Sequence, residues 1–157
     1  MAAACSEYII VRTTIYGYNY QPKMSLAEWV VNGLVKGQEL KMFTDVFFNP
    51  ILVNDLALVL NSAICKGLKG IFNIDSEGRI SKYDFGVKVA AAFGLDAAKI
   101  IPVSVGEHSF KADRPRNMVS DVSKIKEYMD IPTVDGGIRR FRQLYVEKYH
   151  ELLRKGV

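Results

Sequence analysis

The sequence predicts an α/β layered domain, and three observations carry that prediction. Uncharged runs rich in β-branched residues stand at Tyr8–Val11, Gly70–Ile74 and Ile100–Val105. They are short and bounded by turn residues, as strands covered within a sheet are. Between them lie segments whose apolar residues recur every three or four positions, opened by residues that cap helices. The two kinds of segment alternate along all 157 residues, with no repeat, low-complexity tract or long linker. That alternation predicts one layered domain over residues 1–157.

Taken in order, Tyr8 to Thr14 reads as a strand covered on both faces, and Tyr16 to Pro22 as a loop punctuated by Gly17 and Pro22. Ser25-Leu26-Ala27-Glu28 has the form of a capping box. Leu26, Trp29, Val30 and Leu34 follow at helical spacing, which predicts a core position for Trp29, and Gly37 suits the helix end. Leu40–Phe43 and Phe47–Val53 read as short extended pieces. Asn54 is expected to cap a helix carrying Leu56, Val59, Leu60, Ala63 and Ile64, ended by Gly67. Ser81 with Asp84 predicts another capped helix, carrying Phe85, Val89, Ala92 and Phe93 and closed by Gly94. Pro102 places Ile100–Val105 at a sheet edge, because proline removes a ladder donor. Ser120 or Asp121 is expected to start a short helix to Met129. A last helix over 133–155 carries Ile138, Phe141, Tyr145, Tyr149 and Leu152 on one face.

Hydrophobic residues make up 49% and charged residues 24% of the chain, proportions that exclude a disordered polymer. The longest aliphatic runs, such as Leu56–Leu60, are too short to cross a bilayer. Met1–Cys5 lacks the form of a secretion signal, so the expected compartment is the cytoplasm, with Cys5 and Cys65 as free thiols. The net charge of +4 permits an anionic ligand without requiring one.

The chemistry-bearing motifs are few. No GxGxxG, P-loop or Cys-x-x-Cys occurs, and His108 and His150 are isolated, which gives a metal site no support. Lys111, Arg114 and Arg116 form the best local anion-binding cluster, since arginine presents a planar fork that fits phosphate. A solvated basic loop fits the same residues. Arg139, Arg140, Arg142 and Lys148 lie off the apolar stripe of the last helix and read as a solvated face. No nucleic-acid-binding motif accompanies them. Tyr16, Tyr18 and Tyr20 alternate in a loop that either lines a ligand mouth or packs over its own domain.

Four short motifs, taken together, resemble one family. Arg12-Thr13-Thr14-Ile15-Tyr16-Gly17 is similar to the Arg-Thr-Ser/Thr…Tyr-Gly stretch of dTDP-4-dehydrorhamnose reductases, in the extended short-chain dehydrogenase/reductase superfamily. Phe43-Thr44-Asp45, Asn49-Pro50-Ile51 and Asn54-Asp55-Leu56-Ala57 resemble that family's next conserved run. Gly70–Ile74 with Ser81, Tyr83 and Phe85 resembles a third, and Asp113–Asn117 with Ser120, Asp121 and Lys124 a fourth. The resemblance spans about residues 8–129. It implies a partial Rossmann-like sheet with the family's C-terminal substrate-binding subdomain, whose ligand is a nucleotide sugar, such as a dTDP-sugar. By the same resemblance, Arg114 contacts the diphosphate or nucleotide, with Lys111 and Arg116 in support. Phe48 and Asn49 border the nucleotide pocket, and Thr14 and Tyr16 lie near the sugar or the nicotinamide.

The intact family uses NAD(P)H. This chain lacks the glycine fingerprint, and none of its tyrosines has a lysine four residues later, the pair that donates the proton in these reductases. The chain alone is therefore expected to bind no cofactor and to be inactive. Its partner is expected to be an N-terminal Rossmann half or a second copy. The alternative is a non-catalytic interaction or regulatory module. The Arg12–Gly17 stretch, one residue shorter than in the reductases around Ile15, favours that alternative.

Overall fold

The computed structural model describes residues 7–19, 23–107 and 115–154, with the side chains of the last helix up to Glu147. Strand β1 (Ile9–Arg12) leads through Thr13 and Thr14 into β2 (Ile15–Tyr16). Helix α1 (Leu26–Val35) precedes β3 (Leu40–Phe43), β4 (Phe47–Phe48) and β5 (Ile51–Leu52). Then come α2 (Val53–Cys65), β6 (Gly70–Asn73), β7 (Ile80–Ser81), α3 (Lys82–Phe93) and β8 (Ile100–Val103). The chain ends with β9 (Asn117–Met118), α4 (Ser123–Lys126) and α5 (Val134–Arg154).

Parallel pairing dominates. β1 pairs with β6 from Ile9 opposite Gly70 to Arg12 opposite Asn73, β2 with β5, and β3 with β8. A three-stranded sheet has β4 between antiparallel β7 and parallel β9. Helical crossovers supply the connections that parallel strands need.

Two apolar clusters hold the layers together. The larger joins α1, β3, α3, β8 and α5 through residues such as Val30, Leu40, Phe85, Ile100 and Phe141. The smaller joins β5, α2, β6 and α4 through Ile51, Val59, Phe72, Ile74 and Ile125. Alternation along β5 links them, because Ile51 points into the smaller cluster and Leu52 into the larger.

The local signals at helix ends behave as the residues dictate. Ser25 and Glu28 form a reciprocal capping box on α1. The Ser81 hydroxyl accepts from Asp84 N at 2.9 Å on α3, and Gly94 closes that helix with φ of 66°, a conformation open to glycine at little cost.

Several expectations are corrected. Ile9, Ile10 and Val11 are half-buried rather than covered on both faces, because β6 is the sole strand partner of β1 among the described residues. Tyr16 belongs to a strand and is buried, not part of a loop. Trp29 is 36% exposed. The buried stripe of α1 runs through Ala27, Val30, Val31 and Leu34, and a 100° step per residue turns Trp29 about 150° away from the centre of that stripe, toward solvent. Phe47–Val53 breaks at Asn49-Pro50 into two strands. Helix α2 starts one residue before Asn54, with no side-chain cap. Helix α4 is only four residues long; the Ser120 hydroxyl is bonded to Asp75 instead, while Asp121 Oδ1 accepts from Ser123 N at 2.9 Å at the start of the helix.

Candidate functional site

A buried polar hub lies just beyond the carboxyl ends of β1 and β6, where open α/β sheets place their ligands. Asp75 follows β6 and is 1% exposed. Its carboxylate accepts from Thr14 N at 2.6 Å and from the hydroxyls of Thr13 and Ser120. Asn49, in the break between β4 and β5, donates through its side-chain amide to the carbonyls of Ser76 and Ser120, each at 3.0 Å. It accepts from Ser120 N at 3.0 Å. The Ser76 hydroxyl donates to Pro50 O at 2.8 Å. Four chain segments distant in sequence are thereby fixed to one another, and the buried polar atoms find partners, as low-dielectric surroundings require.

Of the residues singled out from sequence, the hub gathers Thr14 and Asn49. Phe48 lies one residue away but points into the core, 4% exposed, with its ring 5.4 Å from that of Phe85. Arg116 immediately precedes β9, and its carbonyl accepts from Phe47 N. Its exposed guanidinium lies 3.6 Å from Asp45. Asp45 is held below the usual carboxylate range, first by the Val105 backbone N–H and then by the Ser104 hydroxyl, with Arg116 a smaller contributor. Lys111, Arg114 and His108 lie outside the described residues.

Tyr16 is held away from solvent. Its ring meets Phe85 and Phe141 edge-on at 5.2 and 5.8 Å, and its hydroxyl has no hydrogen-bond partner. Burial, and secondarily the charge of Asp55, push its pKa up. Gly137 allows this packing, since a Cβ there would stand 2.7 Å from the Tyr16 hydroxyl. Tyr18 stacks obliquely on Phe141 and Tyr145 at 5.5 and 5.1 Å, so it packs over its own domain. Beside these two rings a cavity of about 310 Å³ opens, bounded also by Ile15, Lys23, Met24 and Val53.

Sequence reading missed Asp55 and Asp75 and gave Arg140 only a solvated face. Arg140 instead pairs at 2.7 Å with Asp55, which is 5% exposed. Burial raises the Asp55 pKa and Arg140 opposes that rise. Asp75 had one visible signal, an acid directly after an apolar strand.

The dinucleotide cofactor of the resembled reductases is held by a glycine turn that leads from a strand into a helix. Helices α1 to α5 follow Ser25, Leu52, Ser81, Val122 and Thr133, and none opens on a glycine turn after a strand.

Comparison with known proteins places this geometry. A curated relative, the probable low-salt glycan biosynthesis reductase Agl14 of Haloferax volcanii, is 28% identical over 99 residues, 63% of this chain and 33% of its own. Among solved structures, dTDP-4-dehydrorhamnose reductase from Bacillus anthracis, in complex with NADP, superposes with a TM-score of 0.77 at 23% identity. It matches over 89% of this chain and 48% of its own. A reductase of the same name from Clostridium acetobutylicum gives a TM-score of 0.76 at 26% identity, over 88% of this chain and 49% of its own. The chain thus spans about half the length of these structures and a third of the curated relative. Its fold is the extended short-chain dehydrogenase/reductase fold of these neighbours. No helix among the described residues is long and apolar enough to cross a membrane. The family profile described as RmlD substrate binding domain matches residues 1–143, and the chain belongs to that family.

Proposed function

We propose that this chain is the nucleotide-sugar-binding portion of a dTDP-4-dehydrorhamnose reductase-like protein and turns nothing over by itself. One observation carries the reading: the family match over residues 1–143 coincides with a built polar hub at the carboxyl ends of parallel strands. In this reading Arg114 engages the diphosphate, Lys111 and Arg116 assist, and Asn49 borders the nucleotide with Phe48 supporting it from the core side. Thr14 and Tyr16 stand toward the sugar, with the Tyr16 ring acting as a wall. Residues 8–129 carry the binding part and the helix over 133–155 covers it, within one domain. The protein works in the cytoplasm, where the exposed thiol of Cys65 stays reduced.

Calorimetry of the full chain with dTDP-glucose tests the reading. Arg114→Ala is expected to weaken binding by about 1.5–3 kcal/mol, the range for hydrogen bonds to a charged group. Lys111→Ala is expected to cost less, because an ammonium lacks the planar fork that arginine offers to phosphate. Equal affinity of wild type and Arg114→Ala moves the site elsewhere, and no binding at millimolar ligand removes it from this chain. The purified chain is also expected to oxidise neither NADH nor NADPH with a 4-keto sugar nucleotide, since neither the fingerprint nor the tyrosine–lysine pair is present. Turnover in a spectrophotometric assay refutes that.

A second reading, an interaction module, is favoured by the exposed surface. The outer face of α2 carries Val53, Ala57, Leu58 and Ile64 with only asparagines between them, and β1 has one edge without a strand partner among the described residues. Such an edge pairs with other chains unless guarded. Ile10→Lys is expected to shift the protein toward monomer in light scattering. A wild type that is monomeric at high concentration excludes self-association.

A further inference from the structure

A second cavity lies apart from the hub, on the outward face of the three-stranded sheet. Register puts Ser81, Phe47 and Asn117 on that face and Ile80, Phe48 and Met118 on the core face. The cavity measures about 480 Å³, within the range of small-ligand sites. The Arg79 guanidinium lies over the Phe47 ring, its Cζ 3.7 Å from the centroid. This contact holds the guanidinium against the ring, and Arg79 has no carboxylate partner among the described residues. The other charges on the cavity wall are already engaged. Lys88 pairs with Asp135 at 2.6 Å, Glu77 with Lys126, and Asp84 accepts from the Ser81 hydroxyl at 2.6 Å. Val87 and Val134 supply apolar wall.

We propose that this cavity binds a singly charged, polyhydroxylated ligand of the hexuronate class, with its carboxylate on Arg79. A planar fork placed over an aromatic ring, with no carboxylate of its own, has N–H donors to offer a bidentate carboxylate. Three carboxylates around the same wall, Glu77, Asp84 and Asp135, keep lone pairs to accept from sugar hydroxyls. Those acids also repel a polyphosphate, so one negative charge suits the cavity and several do not. The site is separate from the one proposed for the nucleotide sugar and stands or falls independently of it.

The test is a titration of the isotopically labelled full chain with glucuronate, followed by amide chemical shifts, with glucose as the neutral control. Saturable shifts are expected at residues 78–81 and 133–135. Glucose and the Arg79→Gln variant are each expected to show affinity at least about tenfold lower, the loss of one bidentate charged pair. Arg79→Lys is expected to fall between them, since an ammonium keeps the charge without the fork. No shifts up to about 20 mM, weaker than any specific single-site affinity of interest, overturns the proposal. Equal binding of glucose and glucuronate, or unchanged affinity in Arg79→Gln, also overturns it.

Discussion

Phe141→Ala is expected to lower the stability of the chain by about 3–5 kcal/mol, the range for removing a fully buried aromatic ring. Phe141 is 0% exposed and lies at the centre of a ring cluster, with Tyr16, Tyr18, Phe93 and Tyr145 at 5.5–6.2 Å. These contacts seat α5 over α3 and the end of β2. The relaxation that usually reduces a cavity is restricted here, because Gly137 has already brought the helix backbone against Tyr16. For a domain of this size the loss corresponds to a fall of about 10 °C in the thermal midpoint. Arg139→Ala, on the exposed side of the same helix, is expected to stay within about 0.5 kcal/mol of wild type. Circular dichroism melts compare the three proteins. A Phe141→Ala midpoint within a degree or two of wild type would show that α5 is not a structural cover.

The second large effect is expected at Asp75. Asp75→Ala removes the acceptor for Thr14 N–H and for the hydroxyls of Thr13 and Ser120, and the loss is about 2–4 kcal/mol for three part-buried donors left without that partner. Asp75→Asn keeps one carbonyl oxygen and is expected to cost less. Urea unfolding measures the loss, and hydrogen exchange locates it, because the Thr14 amide is expected to exchange much faster in Asp75→Ala. An unchanged Thr14 exchange rate would mean that the carboxylate does not hold this turn. Should nucleotide-sugar affinity fall in Asp75→Asn while stability barely changes, the hub would be shown to position the binding loops as well as to hold them.

The comparison of these residues explains what was legible in the sequence. The Ser25–Glu28 box and the Gly94 cap are local events, complete within four residues, so residue types alone disclose them. The alternation of strands and helices, and with it the fold class, is also local in origin. The hub is not, since Asp75 meets Thr14 and Ser120 across 61 and 45 positions. The same holds for the pairing of Asp55 with Arg140, which converts one member of an ostensibly solvated basic face into the counter-charge of a buried acid. Trp29 shows a third kind of failure. Leu26, Trp29, Val30 and Leu34 share one side of the helix, but the core meets a side turned toward Ala27 and Val31, which leaves Trp29 out. Tyr16 shows a fourth, because a glycine after an aromatic suggests a turn, whereas the pairing of β2 with β5 makes it a strand.

The parallel pairing of β1 with β6 has a consequence for how the chain reaches its native state. Ile9 finds Gly70, and Leu40 finds Ile100, only across sequence separations of 61 and 60. Pairings this distant must overcome loop closure before they return any contact energy, which places the chain among slower-folding topologies. During synthesis at about 5–20 residues per second, the β1 segment waits on the order of 3–12 s for its partner strand to be made. Through that interval an uncharged Ile-Ile-Val run is without its ladder. Yield of soluble protein is therefore governed by translation speed and chaperone supply as well as by the stability of the finished fold. Slower elongation lengthens that vulnerable interval.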